Sequence, residues 1–268
     1  DIRHEVRRVF RSQIQRAASY HLQEREAGLS AAEPLVLWQR LSLVIGGAAF
    51  LFAAIVVPRL LLEVVVSALS LAFLVSVGFK LVICLAGSLS IRHAAAGAVE
   101  HERIPDNELP RYTVLVPVFR EANVVGGLIE HLRGIDYPPE KLEILLLMEE
   151  GDAETIAAAR ASRPPDLVQF IMIPEGTPQT KPRACNVGLL FTTGAYLVIY
   201  DAEDLPEPGQ LREVVARFAE AGDDVACLQA RLNYFNAREN ILTRMFTLEY
   251  SFWFSFMLRG LDRMHLPH

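Results

Sequence analysis

Within the stretch VIYDAEDLPEP (198–208), carboxylates stand at Asp201, Glu203 and Asp204, directly after an apolar run. Pro206 and Pro208 prevent that run from continuing as a strand. Hard oxygen ligands suit a divalent cation. Asp201 and Glu203 are two apart, so in extended backbone they share one side and can act together. Asp204 is either a third ligand or the cap of a helix that begins near Glu207. The pattern Asp-x-(Asp/Glu) also describes an ordinary solvated turn, and spacing alone does not separate the two.

Other charged groups follow other apolar runs. MEEGD (148–152) supplies Glu149, Glu150 and Asp152, either as ligand contacts or as a turn with a helix cap. EGTPQTKPRACN (175–186) brings Lys181, Arg183 and Asn186 to a helix start. A basic pair beside the positive end of a helix is unfavourable unless an anion is bound. VPVFREAN (116–123) leaves Arg120 and Glu121 at the end of a first run. A site that holds a divalent cation against a diphosphate needs both signs, carboxylates for the metal and cations for the phosphate oxygens. Cys185 reads as a packing residue, since no histidine lies near it in sequence to activate a thiolate. There is no dinucleotide fingerprint, P-loop or nucleophile elbow.

The elements that must position these groups are short apolar runs at 112–119, 142–149, 168–174, 196–201 and 225–232, with helical patterns at 121–134, 152–162, 181–191 and 207–221 between them. Such alternation predicts an α/β domain with a mostly parallel sheet and helices on both faces. Ligands of open α/β sheets sit beyond the carboxyl ends of the strands, which is where every charged group above falls.

The remaining segments differ in character. Residues 1–34 are polar and arginine-rich, and residues 35–88 hold two apolar stretches broken at Pro58-Arg59, each long enough to cross a bilayer. A membrane hairpin is the expectation, with both flanks cytoplasmic because arginines crowd outside the spans. Residues 89–111 read as a linker, 112–237 as the α/β domain and 238–268 as an amphipathic helix at the lipid interface, rich in Phe246, Tyr250, Phe252, Trp253, Phe254 and Phe256. A net charge of -6 argues against a nucleic-acid partner. The cysteines, Cys84, Cys185 and Cys227, form no disulfide framework, which suits a reducing compartment.

The order of motifs resembles glycosyltransferase family 2, in its membrane-embedded, cellulose-synthase-like branch. VPVFREANVV resembles the family's opening strand, mapping Pro117 and Glu121 beside the nucleotide. LLMEEGD is similar to the second-strand element that meets the base, with Glu149 and Glu150 in place of aspartates. TKPRACNVGL resembles the basic-Ala-x-Asn element, which puts Arg183, with Lys181, near the diphosphate. YDAEDLPEP is similar to the Asp-x-Asp metal motif, with Asp201 also bordering the nucleotide and Glu203 in the second place. The resemblance implies a GT-A fold, a nucleotide-sugar donor that is most often a UDP-sugar, Mg²⁺ or Mn²⁺, inversion by direct displacement, and a polysaccharide or glycolipid acceptor at a bacterial inner membrane. The family's Thr-Glu-Asp base element and its Gln-x-x-Arg-Trp motif do not occur in these 268 residues. The expectation is therefore a fragment that binds its donor without turning it over. A catalytically silent membrane component that keeps the nucleotide fold is the alternative.

Overall fold

The computed structural model describes residues 9–30, 34–96, 103–222 and 224–266. The beginning of the arginine-rich segment (1–8), the middle of the expected linker (97–102) and the last two residues of the expected interface segment lie outside the described residues. The chain divides into two units, residues 1–33 with 101–226 and residues 34–100 with 227–268.

The first unit is built on strands β1 (Tyr112–Val118), β2 (Leu142–Glu149), β3 (Val168–Ile173) and β4 (Tyr196–Ile199). All pair in parallel, in the order β3-β2-β1-β4. β1 and β2 are central, and β2 is buried along its whole length, which is why it reads as an unbroken apolar run. Side chains alternate across the sheet. On one face Val114, Val116, Ile144, Leu146 and Met148 pack beneath helices α4 (Val125–Arg133), α5 (Ala153–Ala161) and α7 (Gln210–Glu220), which contribute Leu128, Ile129, Leu132, Ala159 and Leu211. On the other face Leu115, Leu145, Leu147, Ile171 and Ile173 meet α6 (Lys181–Leu189) and α1 (Arg11–Arg25). Gly188 lets α6 lie close, because a Cβ there would stand 2.9 Å from both Leu147 methyls and 3.3 Å from Leu115.

Helix α1 falls in the segment that reads as polar from sequence. It reaches the core through only Ile14 and Ala18, one turn apart and 7% and 5% exposed, so no hydrophobic stripe announces it. The amide of Asn186 donates to the Ala18 carbonyl at 2.8 Å and ties α1 to α6.

The expected fifth strand at 225–232 is not formed; the backbone there is irregular and Val225 and Leu232 are exposed. An apolar run becomes a strand only where a sheet edge receives it, and here the edge strand β4 is four residues long.

The second unit holds α2 (Leu37–Val56) and α3 (Pro58–Ala96), two helices long and apolar enough to cross a membrane, with none of their apolar windows buried. It also holds α8 (Ile241–Phe252), a π-helical turn (Trp253–Met257) and α9 (Leu258–Arg263). Asn240 and Thr243 cap α8 reciprocally: the Thr243 N–H donates to Asn240 Oδ1 at 3.0 Å and the Asn240 N–H to Thr243 Oγ1 at 3.1 Å. Within this unit α3 and the 253–263 segment pack backbone to backbone, with Gly87 against the Phe256 carbonyl and Gly260 against that of Ile83. Small residues at such crossings are how apolar helices approach closely.

Candidate functional site

The carboxyl ends of β1, β2 and β4 and the first turn of α6 enclose a cavity of about 340 Å³. Six of the residues singled out by sequence line it: Pro117, Glu121, Glu149, Lys181, Asp201 and Glu203. Phe119, Gln179 and Thr180 also line it and were not singled out; the last two lie in a loop without periodicity, where nothing in the sequence marks them. A neighbouring cavity of about 330 Å³ shares Phe119, Glu149 and Gln179 and adds Arg120, Asp152, Glu175 and Gly176.

The backbone leaving β1 is held by α5. Arg120 sits in the left-handed region at φ 57°, and its N–H donates to the Asp152 carboxylate at 2.6 Å. Asp152 also caps α5 by accepting from the Thr155 N–H at 3.2 Å, and the Glu121 N–H donates to Thr155 Oγ1 at 3.1 Å. Burial would raise the Asp152 pKa, but these hydrogen bonds and the Arg120 charge outweigh it and hold the carboxyl below its ordinary value. Asp152 thus sets where Glu121 enters the cleft.

Glu121 is the strained member. Burial first, and the charge of Glu203 second, push its pKa up against the opposing pull of a backbone hydrogen bond and of Lys181. One of its oxygens is buried without a hydrogen-bond partner. Glu121 and Glu203 repel each other across the cavity, and the unsatisfied Glu121 oxygen is a free acceptor in it.

Lys181 answers part of that charge through an ion pair with Asp201, both side chains about half exposed at 45% and 50%. Asp204 turns away from the cavity: its carboxylate accepts the Asp201 N–H at 2.7 Å and closes the turn after β4. Burial raises the Asp204 pKa, and Lys181 opposes this. Arg183, two residues beyond Lys181, lies beneath the cleft at 2% exposure, paired with Glu149 at 3.3 Å. Burial first, with the charges of Glu150 and Glu175, holds the Glu149 pKa above its ordinary value against the charge and hydrogen bond of Arg183. Glu150 begins the turn after β2, outside the cavity wall, and pairs with Arg11 of α1. The structure therefore gathers Pro117, Glu121, Glu149, Lys181, Asp201 and Glu203 on one cavity and leaves Glu150, Arg183 and Asp204 off its wall. Cys185 is buried on the sheet face, and burial raises its thiol pKa, as a packing residue requires.

Among the described residues no three His, Cys, Asp or Glu side chains form a metal cage. None is needed for an ion held by one or two carboxylates plus substrate phosphates, and Asp201, Glu203 and the orphaned Glu121 oxygen offer the hard donors Mg²⁺ or Mn²⁺ prefers.

A parallel α/β sheet with helices on both faces and a charged cleft at its strand ends is the class that takes ligands at this place. The profile of the Glycosyltransferase like family 2 matches residues 110–266, and the chain belongs to that family. It is 24% identical over 155 residues to the probable glycosyltransferase YdaM of Bacillus subtilis (strain 168), which covers 57% of this chain and 36% of that protein. It is 25% identical over 217 residues to glucomannan 4-beta-mannosyltransferase 1 of Oryza sativa subsp. japonica, covering 75% of this chain and 41% of the relative. The chain thus spans about two fifths or less of the length of these relatives. Among solved structures it is similar to the mannosyltransferase PcManGT from Pyrobaculum calidifontis in complex with GDP-Man and Mn²⁺, at 30% identity and a TM-score of 0.39 over 50% of this chain and 40% of that one.

Proposed function

We propose that this chain carries the donor site of a membrane-anchored glycosyltransferase that moves a sugar from a nucleotide sugar to a polysaccharide acceptor with inversion. The observation that carries the reading is the convergence of Glu121, Asp201 and Glu203 on one cavity with Lys181 as its sole cation among the described residues.

In this reading Asp201 and Glu203 hold Mg²⁺ or Mn²⁺, with Glu121 close enough to feel the charge of Glu203. The ion, when bound, would neutralise charge developing on the departing diphosphate. Lys181 has an exchangeable partner: an exposed pair contributes at most about 1 kcal/mol, so its ammonium can leave Asp201 for a phosphate oxygen at little cost. Pro117 and Phe119 form the apolar wall, and the unpartnered oxygen of Glu149 is an acceptor for a donor group on the nucleoside. The family resemblance favours a UDP-sugar, while the mannosyltransferase names among the relatives make a nucleotide-linked mannose the donor to test beside it.

For anchoring, α2 and α3 supply two bilayer-length apolar helices, and the arginine bias outside them favours cytoplasmic flanks. The exposed Phe246, Phe252 and Trp253 of the 241–257 segment suit the headgroup region.

Titration of the detergent-solubilised chain with UDP and GDP, with and without Mn²⁺, tests the donor site. Metal-dependent nucleotide binding that Asp201→Ala abolishes supports it; equal binding by that variant removes the assignment.

A further inference from the structure

We infer that Arg183 is a positioning residue of the donor site, one that holds Glu149 and the 174–176 loop in place and does not touch phosphate. This rests on the cleft being a nucleotide-sugar site. Nη1 of its guanidinium pairs with Glu149 at 3.3 Å and Nη2 donates to the Pro174 carbonyl, while Nε is buried without a partner. The loop is fitted around that group: a Cβ on Gly176 would stand 2.8 Å from Arg183 Nη2 and 3.1 Å from Gln15 Nε2. Gln15, on α1, donates to the Glu175 carbonyl of the same loop. Three stretches remote in sequence thus close on one guanidinium: the end of β2, the loop after β3 and the N-terminal helix.

What Arg183 holds is what the ligand meets. Glu149 lines both cavities and Glu175 and Gly176 line the second, so the loop and the carboxylate together form the wall between them. One Glu149 oxygen is committed to Arg183 and the other is without a partner, so the pair decides which oxygen a ligand is offered. Arg183 cannot swing out to a phosphate without leaving a buried carboxylate unpaired, and its planar fork suits this fixed task better than a lysine. Lys181 is placed the opposite way, half exposed on the cavity wall.

Nucleoside and nucleoside diphosphate affinities of the full chain in detergent separate the two roles. Arg183→Gln should weaken uridine or guanosine and the matching diphosphate by the same factor, roughly 10–100-fold, as when a ligand's supporting partner is lost. Lys181→Ala should weaken the diphosphate selectively, and Arg183→Lys should restore part of both losses equally. An Arg183→Gln loss confined to the diphosphate, or no loss at all, overturns the inference. Amide hydrogen exchange of the ligand-free protein supplies a reading independent of nucleotide. Arg183→Gln and Gly176→Ala should speed exchange at residues 175–177, and Lys181→Ala should not; unchanged protection in both loop variants overturns the inference. Should Arg183→Gln not fold, Arg183→Lys and Gly176→Ala carry the same comparisons. If the wild-type chain binds neither nucleotide, the donor-site reading fails, and hydrogen exchange still decides whether Arg183 clamps the loop.

Discussion

Lys181 and Arg183 stand two residues apart on one helix, each paired with one carboxylate, yet they sit in different electrostatic worlds. The Lys181–Asp201 pair is half exposed at the cavity wall, where water and salt weaken it to a fraction of a kcal/mol. The Arg183–Glu149 pair is 2% and 6% exposed, where either partner left alone is a desolvated charge. Sequence spacing made them a basic pair aimed at one anion. The helix turn separates them, the first cation free to be exchanged and the second fixed as architecture.

The largest effect expected of breaking this contrast is on stability. Arg183→Ala should cost about 3–5 kcal/mol in denaturant unfolding, because it leaves Glu149 buried without its partner. A cost below about 1 kcal/mol would place the two pairs in the same class. Gly188→Ala, on the same helix, sharpens the comparison by disturbing both pairs together. Its methyl group would press on Leu147 and lift α6 from the sheet, costing about 1–3 kcal/mol and weakening nucleotide binding as well. Lys181→Ala should change stability by less than about 1 kcal/mol while reducing diphosphate affinity about tenfold or more, the scale of one lost charge-assisted hydrogen bond.

The smallest effect is a pH slope. Glu121 has its pKa raised above the ordinary 4.5, so the folded chain retains this proton where the unfolded chain has lost it. Its contribution to stability is therefore full below 4.5 and disappears as pH rises through the folded value. Glu121→Gln should flatten the decline of stability with rising pH across that window. An unchanged slope would mean that Glu203 and burial do not act on Glu121.

The central strands were legible because burial on both faces writes an apolar run into the chain. β1 to β4 fall within one or two residues of the runs that predict them. The run at 225–232 has the same composition but no ladder to join, and composition cannot report whether a neighbouring edge exists. Helix α1 was illegible for the opposite reason: Ile14 and Ala18 suffice to bury it, and the arginines around them look like a solvated tail. In the site, neighbouring residues part ways at atomic scale. Glu149 is the last residue of β2 and enters the cleft, whereas Glu150 begins the turn that follows and meets Arg11. Asp204 is consumed by the turn it closes, a local hydrogen bond that a list of acidic residues cannot reveal.

The central claim is that the carboxylates at the strand ends hold a cation against a diphosphate, and the position of manganese tests it most directly. In crystals of the chain grown with Mn²⁺ and the nucleoside diphosphate that binds, anomalous scattering should place one ion between Asp201 and Glu203, with Lys181 released from Asp201 onto a phosphate oxygen. Manganese elsewhere, or bound nucleotide with the Lys181–Asp201 pair intact and no ion beside it, would contradict the account.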